Sequence, residues 1–219
     1  MTSLSGSILG GMVAALLLSG CASVAETRFY TLSAPSTLPR MKEALPPAST
    51  PFYIEVMPVI VPERLARPQL VVRSRDSDQE SQLFILEESR WSSHFNDELR
   101  DALATGIANQ TGAIRETRGA SGTYAPDYRG YRVAVELGQF DAVVGERVQA
   151  RFSWVITRSA DGRSAACYAA ISEPVHGGID GVVTGVQRVV SRVVEDISKN
   201  LIELDTGHGA TCKPYREVD

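Results

Sequence analysis

The stretch Tyr131-Arg132-Val133-Ala134-Val135-Glu136-Leu137 decides the fold class, because apolar residues at every odd position alternate with Arg132, Ala134 and Glu136. A period of two is the mark of a strand with one face turned to a core. The pattern returns at Val148, Ala150, Phe152, Trp154 and Ile156, whose neighbours are mostly polar. Asp161-Gly162 then gives a two-residue hairpin signal leading into a third strand, roughly residues 164 to 172. An antiparallel meander follows.

Outward from this meander the period changes. Towards the C-terminus, Val182, Val186, Val189, Val190, Val193, Ile197 and Leu201 recur at helical spacing, with Arg188, Arg192, Glu195 and Lys199 elsewhere around the wheel. Valine favours strands, but a long run at a period of 3.6 outweighs that preference and predicts a helix over 180–204. Towards the N-terminus, Trp91, Phe95, Leu99, Leu103 and Ile107 recur every four positions. They predict an amphipathic helix over 91–109, capped by Ser92 or Ser93 and stopped at Gly112. Shorter β-prone segments lie at 28–32, at Phe52, Ile54 and Val56, at 70–73 and at 82–86. The expected fold is α+β, a mainly antiparallel sheet with both helices packed on one face.

Two stretches resist regular structure. Residues 33–51 hold Pro35, Pro39, Pro46, Pro47 and Pro51 among Ser, Thr and Ala, the composition of an extended loop. Between the second and third short strands, Pro58, Pro62 and Pro68 remove amide donors and fix φ, so the chain there is a stiff turn. It displays Arg64 and Arg67, groups suited to gripping a carboxylate or a partner's backbone, with an ion pair to Glu63 or a sheet-edge acid as the structural alternative.

The N-terminus carries a different kind of signal. Leu9 to Leu18 is an apolar run of signal-peptide length, too short to span a ~30 Å hydrocarbon layer. Leu18-Ser19-Gly20-Cys21 follows and resembles the lipobox of bacterial lipoproteins. That resemblance implies removal of residues 1–20 and acylation of Cys21 as the first mature residue, with more than one chain holding it stably in a membrane. Ala22, where Asp would signal inner-membrane retention in the enterobacterial rule, points to the outer membrane. Residues 21–27 then form the tether, 28–205 a single domain, and 206–219 a tail.

The remainder, roughly 200 residues, suits one domain with a real core. The 22 basic and 26 acidic residues give a net charge of −4 and are mixed along the chain, which argues against a nucleic-acid partner. Besides Cys21 the chain holds Cys167 and Cys212, and an exported protein can keep a disulfide between them. The alternative is a buried Cys167 and a free Cys212.

No catalytic pattern stands out. His94, His176 and His208 are scattered and lack ligand spacing, so neither a metal site nor a cofactor is expected. Asp97 and Asp101 lie one helical turn apart, but a solvated polar face explains them better than acid–base chemistry. The glycines at 177, 178, 181 and 185 read as the start of the last helix rather than an anion site.

Several segments together resemble the PqiC (YmbA-type) auxiliary lipoproteins: the lipobox, Phe29-Tyr30-Thr31-Leu32, Ile54-Glu55-Val56-Met57-Pro58-Val59, and above all the run from Val61 to Arg73. Within that run, Pro62, Arg64, Arg67 and Pro68 are the candidate partner-binding residues. Arg90-Trp91 opening a helix, Tyr131-Arg132-Val133, Phe140-Asp141, Ala150 with Trp154, and the valine-rich last helix fall in the family's order. The resemblance implies a non-catalytic lipoprotein of an MCE-type intermembrane lipid transport system. It would dock a PqiB-like MCE tunnel protein at the periplasmic face of the outer membrane, as a homo-oligomer. The alternatives are an envelope lipoprotein that itself binds lipid or peptide, and an outer-membrane assembly factor.

Overall fold

The fold is taken from a computed structural model that describes residues 26–33, 52–74, 82–116 and 129–212. The signal segment, Cys21, nearly all of the proline-rich loop and the last seven residues lie outside the described residues. The meander is its centre. Strands β6 (Gly130–Val143), β7 (Arg147–Arg158) and β8 (Ser164–Pro174) pair antiparallel in sequence order. Val133, Val135 and Leu137 face inward beside Phe152, Trp154 and Ile156, as the period of two requires. The Asp161-Gly162 hairpin is present, but its loop has four residues, because Arg158 N–H donates to the Arg163 carbonyl at 2.8 Å and Gly162 takes φ +72°.

Five shorter strands precede the meander in sequence. β2 (Tyr53–Val56) runs parallel to β6, and β5 (Ile114–Arg115) parallel to β2, giving a five-stranded sheet in the order β5-β2-β6-β7-β8. A second, three-stranded sheet has the order β1-β4-β3, built from β1 (Arg28–Tyr30), β3 (Gln69–Val72) and β4 (Phe84–Trp91). β1 is parallel to β4 and β3 antiparallel to it. The two sheets meet where Arg73 bridges Val143. The α+β class stands, with two mixed sheets in place of one mainly antiparallel sheet. Parallel pairs join segments far apart in sequence, and local alternation carries no trace of them.

Helices α1 (Phe95–Thr111) and α2 (Ile179–Asp205) cover the inner face of the larger sheet. Leu99, Leu103 and Ile107 from α1 and Val186, Val189, Val193, Ile197 and Leu201 from α2 complete one core. The first helix starts at Phe95 rather than at Trp91. Trp91 ends β4 instead, its N–H donating to the Pro68 carbonyl at 2.7 Å while its ring packs on Phe95 at 5.4 Å. The four-residue spacing therefore crosses a strand–helix junction whose two sides face the same core. His94 is the N-cap, and Ser92 and Ser93 donate instead to the Glu98 carboxylate. Gly112 closes the helix in the left-handed conformation at φ 72°.

Glu98 also fastens the N-terminal strand. Its carboxylate accepts from the Leu32 N–H and the Thr31 hydroxyl, both at 3.0 Å. Gln187 of α2 donates to the Thr31 carbonyl at 2.9 Å. The chain leaving β1 is thus held across both helices, and Leu32 is buried between them and the core.

Candidate functional site

The proline-braced turn between β2 and β3 is where sequence and structure converge on a possible site. Its first half does not leave the sheet at once. Met57 N–H donates to the Val133 carbonyl, Ile60 N–H to Val135, and Leu137 N–H returns to the Ile60 carbonyl. Pro58 breaks this ladder because it has no donor. A single 3₁₀ turn, Glu63–Leu65, then reverses the chain, with Leu65 N–H donating to the Pro62 carbonyl at 2.8 Å.

Three anchors make the turn rigid. Leu65 is buried in a crevice with Leu70, Trp91, Phe95 and Phe140. The Arg67 carbonyl accepts from Phe95 N–H, one of the unpaired donors at the start of α1, and the Pro68 carbonyl accepts from Trp91 N–H. Arg64 reaches across to donate to the Phe140 carbonyl at 3.3 Å. Leu65 and that carbonyl were not legible as parts of the site: a lone leucine in a polar loop has no periodicity, and a carbonyl has no sequence signature.

The Arg64 side chain is exposed and Arg67 is half-buried. Among the described residues neither forms an ion pair, with Glu63 or with any sheet-edge acid. Arg67 Nε is buried and without a hydrogen-bond partner among them. Two guanidinium groups thus sit on a backbone held from three sides; Arg67 Nε is closed off from solvent, so an acceptor from outside would meet the groups' other nitrogens.

The other sequence candidates fall elsewhere. Cys167 on β8 and Cys212 in the tail are joined by a disulfide with Cα atoms 5.5 Å apart. Asp97 and Asp101 lie beside Arg100, and Asp101 also beside Arg115, as a surface ion network. His94 caps the start of α1, His176 precedes α2 and His208 follows it, and no group of metal-ligating side chains occurs among the described residues. The apolar crevice under Leu65 encloses about 10 Å³, room for about one water molecule.

A family model described as "ABC-type transport auxiliary lipoprotein component" matches residues 30–198. The chain belongs to this family. The match takes in the last residue of β1, all the other strands, the braced turn and α2 as far as Ser198, whereas the PqiC (YmbA-type) resemblance begins earlier, at the lipobox. Among solved structures, an uncharacterised protein aligns at a TM-score of 0.58 with 17% identity, over 80% of this chain and 99% of its own. Protein XCC0632 from Xanthomonas campestris aligns at 0.56 with 15% identity, over 73% and 89%. At such identities the likeness establishes the fold alone. No curated protein matches the sequence.

Proposed function

We propose that this family member is the lipid-anchored docking component of an MCE-type intermembrane lipid transport system. Acylated Cys21 holds it on the periplasmic face of the outer membrane, where it receives the tip of a PqiB-like MCE tunnel protein. Its role is non-catalytic. The observation that carries the reading is the braced turn, where Arg64 and Arg67 are exposed or half-buried, lack a carboxylate of their own and stand on an immobilised backbone. Rigidity matters because a pre-ordered surface loses little conformational entropy on binding. Tethering adds to this by confining the encounter to a membrane plane. A ring of several copies around the tunnel would multiply each contact in the same way.

The apolar crevice beneath the turn supports docking over ligand carriage there, since about 10 Å³ cannot hold an acyl chain or a peptide side chain; the roomier cleft of about 300 Å³ at the start of α2 is lined largely by polar and charged residues, Glu26, Arg28, Glu88, Ser89 and Asp180 among them. A double substitution, Arg64→Ala with Arg67→Ala, is expected to weaken capture of the PqiB-like protein by roughly tenfold or more while leaving the thermal midpoint nearly unchanged. Equal capture by variant and wild type in a quantitative pull-down would retire the proposal.

A further inference from the structure

We propose that the free edge of β8 is the seam between two copies of this chain, paired antiparallel about a two-fold axis at Tyr168. The inference gives a surface to the assembly of several copies invoked above and makes no use of the tunnel partner.

β8 ends the larger sheet, and it is the longest edge among the described residues, with eleven residues against two in β5, three in β1 and four in β3. Its pairing with β7 fixes which backbone groups are free. Arg158 N–H donates to the Arg163 carbonyl at one end of the ladder and Val175 N–H to the Glu146 carbonyl at the other, with no register shift between them. Bonded and open positions alternate in an antiparallel pair, so the odd-numbered residues of β8 bond to β7. Ser164, Ala166, Tyr168, Ala170 and Ser172 turn their N–H and C=O groups outward, where no backbone group among the described residues pairs with them. At one point the edge is touched: Cys212 Sγ, which carries no proton in its disulfide, lies 3.4 Å from the Ala166 carbonyl.

Edges of this length are ordinarily blunted by charge, proline or a bulge. β8 has none of these between Ser164 and Ser172. Its one charged residue, Glu173, is buried against Arg188 and Arg192, and Pro174 comes only at the far end. An unprotected row of donors and acceptors calls for a strand beside it.

The residues on the edge name the occupant. Taken in order they run Ser-Ala-Tyr-Ala-Ser, the same in both directions about Tyr168. A two-fold contact sets residue i against j and j against i, so an axis at Tyr168 puts Ser164 opposite Ser172, Ala166 opposite Ala170 and Tyr168 opposite itself. Each residue meets its own kind, and no charge lies at the seam for a partner of other sequence to read. The side chains agree. Tyr168, 49% exposed, and Val155, 42%, are diagonal neighbours on the face of the sheet away from the helices, because Tyr168 pairs with Ser153 and Ala166 with Val155. Two-fold pairing brings the two tyrosine rings together and continues this apolar strip into the second copy.

The test is the mass of the protein purified in detergent, by sedimentation equilibrium at matched density. Wild type should contain an even number of copies. Tyr168→Lys sets two ammonium groups face to face, and Ala170→Pro removes an outward donor that bonds nothing within the described chain. Each should halve the mass and leave the thermal midpoint nearly unchanged, and should one variant fold poorly the other carries the test. The register is read from two double variants. Ser164→Lys with Ser172→Lys opposes like charges and should weaken association roughly tenfold, whereas Ser164→Lys with Ser172→Glu opposes unlike charges and should keep the wild-type mass. Monomeric wild type overturns the proposal, including the case in which another part of this chain covers the edge. Wild-type mass in both Tyr168→Lys and Ala170→Pro overturns it as well, since association then lies elsewhere, and equal behaviour of the two double variants removes the axis at Tyr168. Capture of the tunnel protein is not read in any of these, so the docking proposal and this one fail separately.

Discussion

The indole N–H of Trp154, on β7, donates to Asn200 Oδ1 of α2 at 3.0 Å inside the core, where both residues are almost wholly buried. The Asn200 amide nitrogen donates in turn to the Thr211 carbonyl and to the Glu203 carboxylate, each at 3.2 Å. One side chain therefore joins strand, helix and tail. Replacing it by leucine strands the indole donor and the Thr211 carbonyl. Asn200→Leu is expected to lower unfolding stability by about 1–3 kcal/mol, read from urea transitions at constant m.

The disulfide acts on the same tail from the other side. Cys167 and Cys212 are 45 residues apart, and closing such a loop restricts the unfolded chain by ~4 kcal/mol in the chain-entropy model. Reduction with dithiothreitol should lower the thermal midpoint substantially while the folded circular-dichroism spectrum persists at room temperature. Equal midpoints for reduced and oxidised protein would show that the bond contributes nothing.

Acid should loosen the hold of Glu98 on the N-terminal strand. Burial pushes its carboxyl up, but donation from Ser92, the Leu32 N–H, Thr31 and Ser93 outweighs burial and brings it below the ordinary 4.5. A group lowered in the folded state stabilises the fold above its unfolded value and loses that contribution as pH falls through the folded one. Stability should thus decline as pH drops below the ordinary carboxylate range. Glu98→Gln should be less stable at neutral pH and show a shallower acid decline, the remaining slope including Glu203, which hydrogen bonds from Thr211 and Asn200 also bring down against burial. Parallel stability–pH curves for the two proteins would contradict this.

The crossing of α1 and α2 depends on Gly106. A Cβ there would stand 2.7 Å from Val194 Cγ2 and 2.8 Å from Cγ1. Alanine is the better helix former by ~1 kcal/mol, yet forcing a methyl into a packed contact costs about 1–3 kcal/mol. Gly106→Ala should be destabilising on balance, and adding Val194→Ala should recover part of the loss, because it removes the two methyl groups that the new Cβ meets. A double-mutant cycle measures the coupling.

Much of this molecule is legible locally. The alternation from Tyr131 to Leu137 and from Val148 to Ile156 marks β6 and β7, the valine spacing marks α2 to within a residue at each end, and the prolines at 58, 62 and 68 mark the braced turn. Trp91 shows the limit of such reading. Its spacing to Phe95 and Leu99 is helical, yet it ends a strand, because a strand and a following helix that face one core can continue the same apolar rhythm across their junction.

By itself, then, the sequence determined the class of each long element and where Arg64 and Arg67 stand on the chain, since periodicity and proline act over a few residues. Only the tertiary structure decided that Arg28 lies beside Ser89, that Ile54 lies beside Tyr131, and that β1, β3 and β4 form a second sheet. It likewise decided that Arg64 meets the Phe140 carbonyl and that Glu98 holds Leu32. Those relations depend on closing loops of tens of residues, where the choice of partner rests on the burial and hydrogen bonding of the whole core rather than on any local pattern.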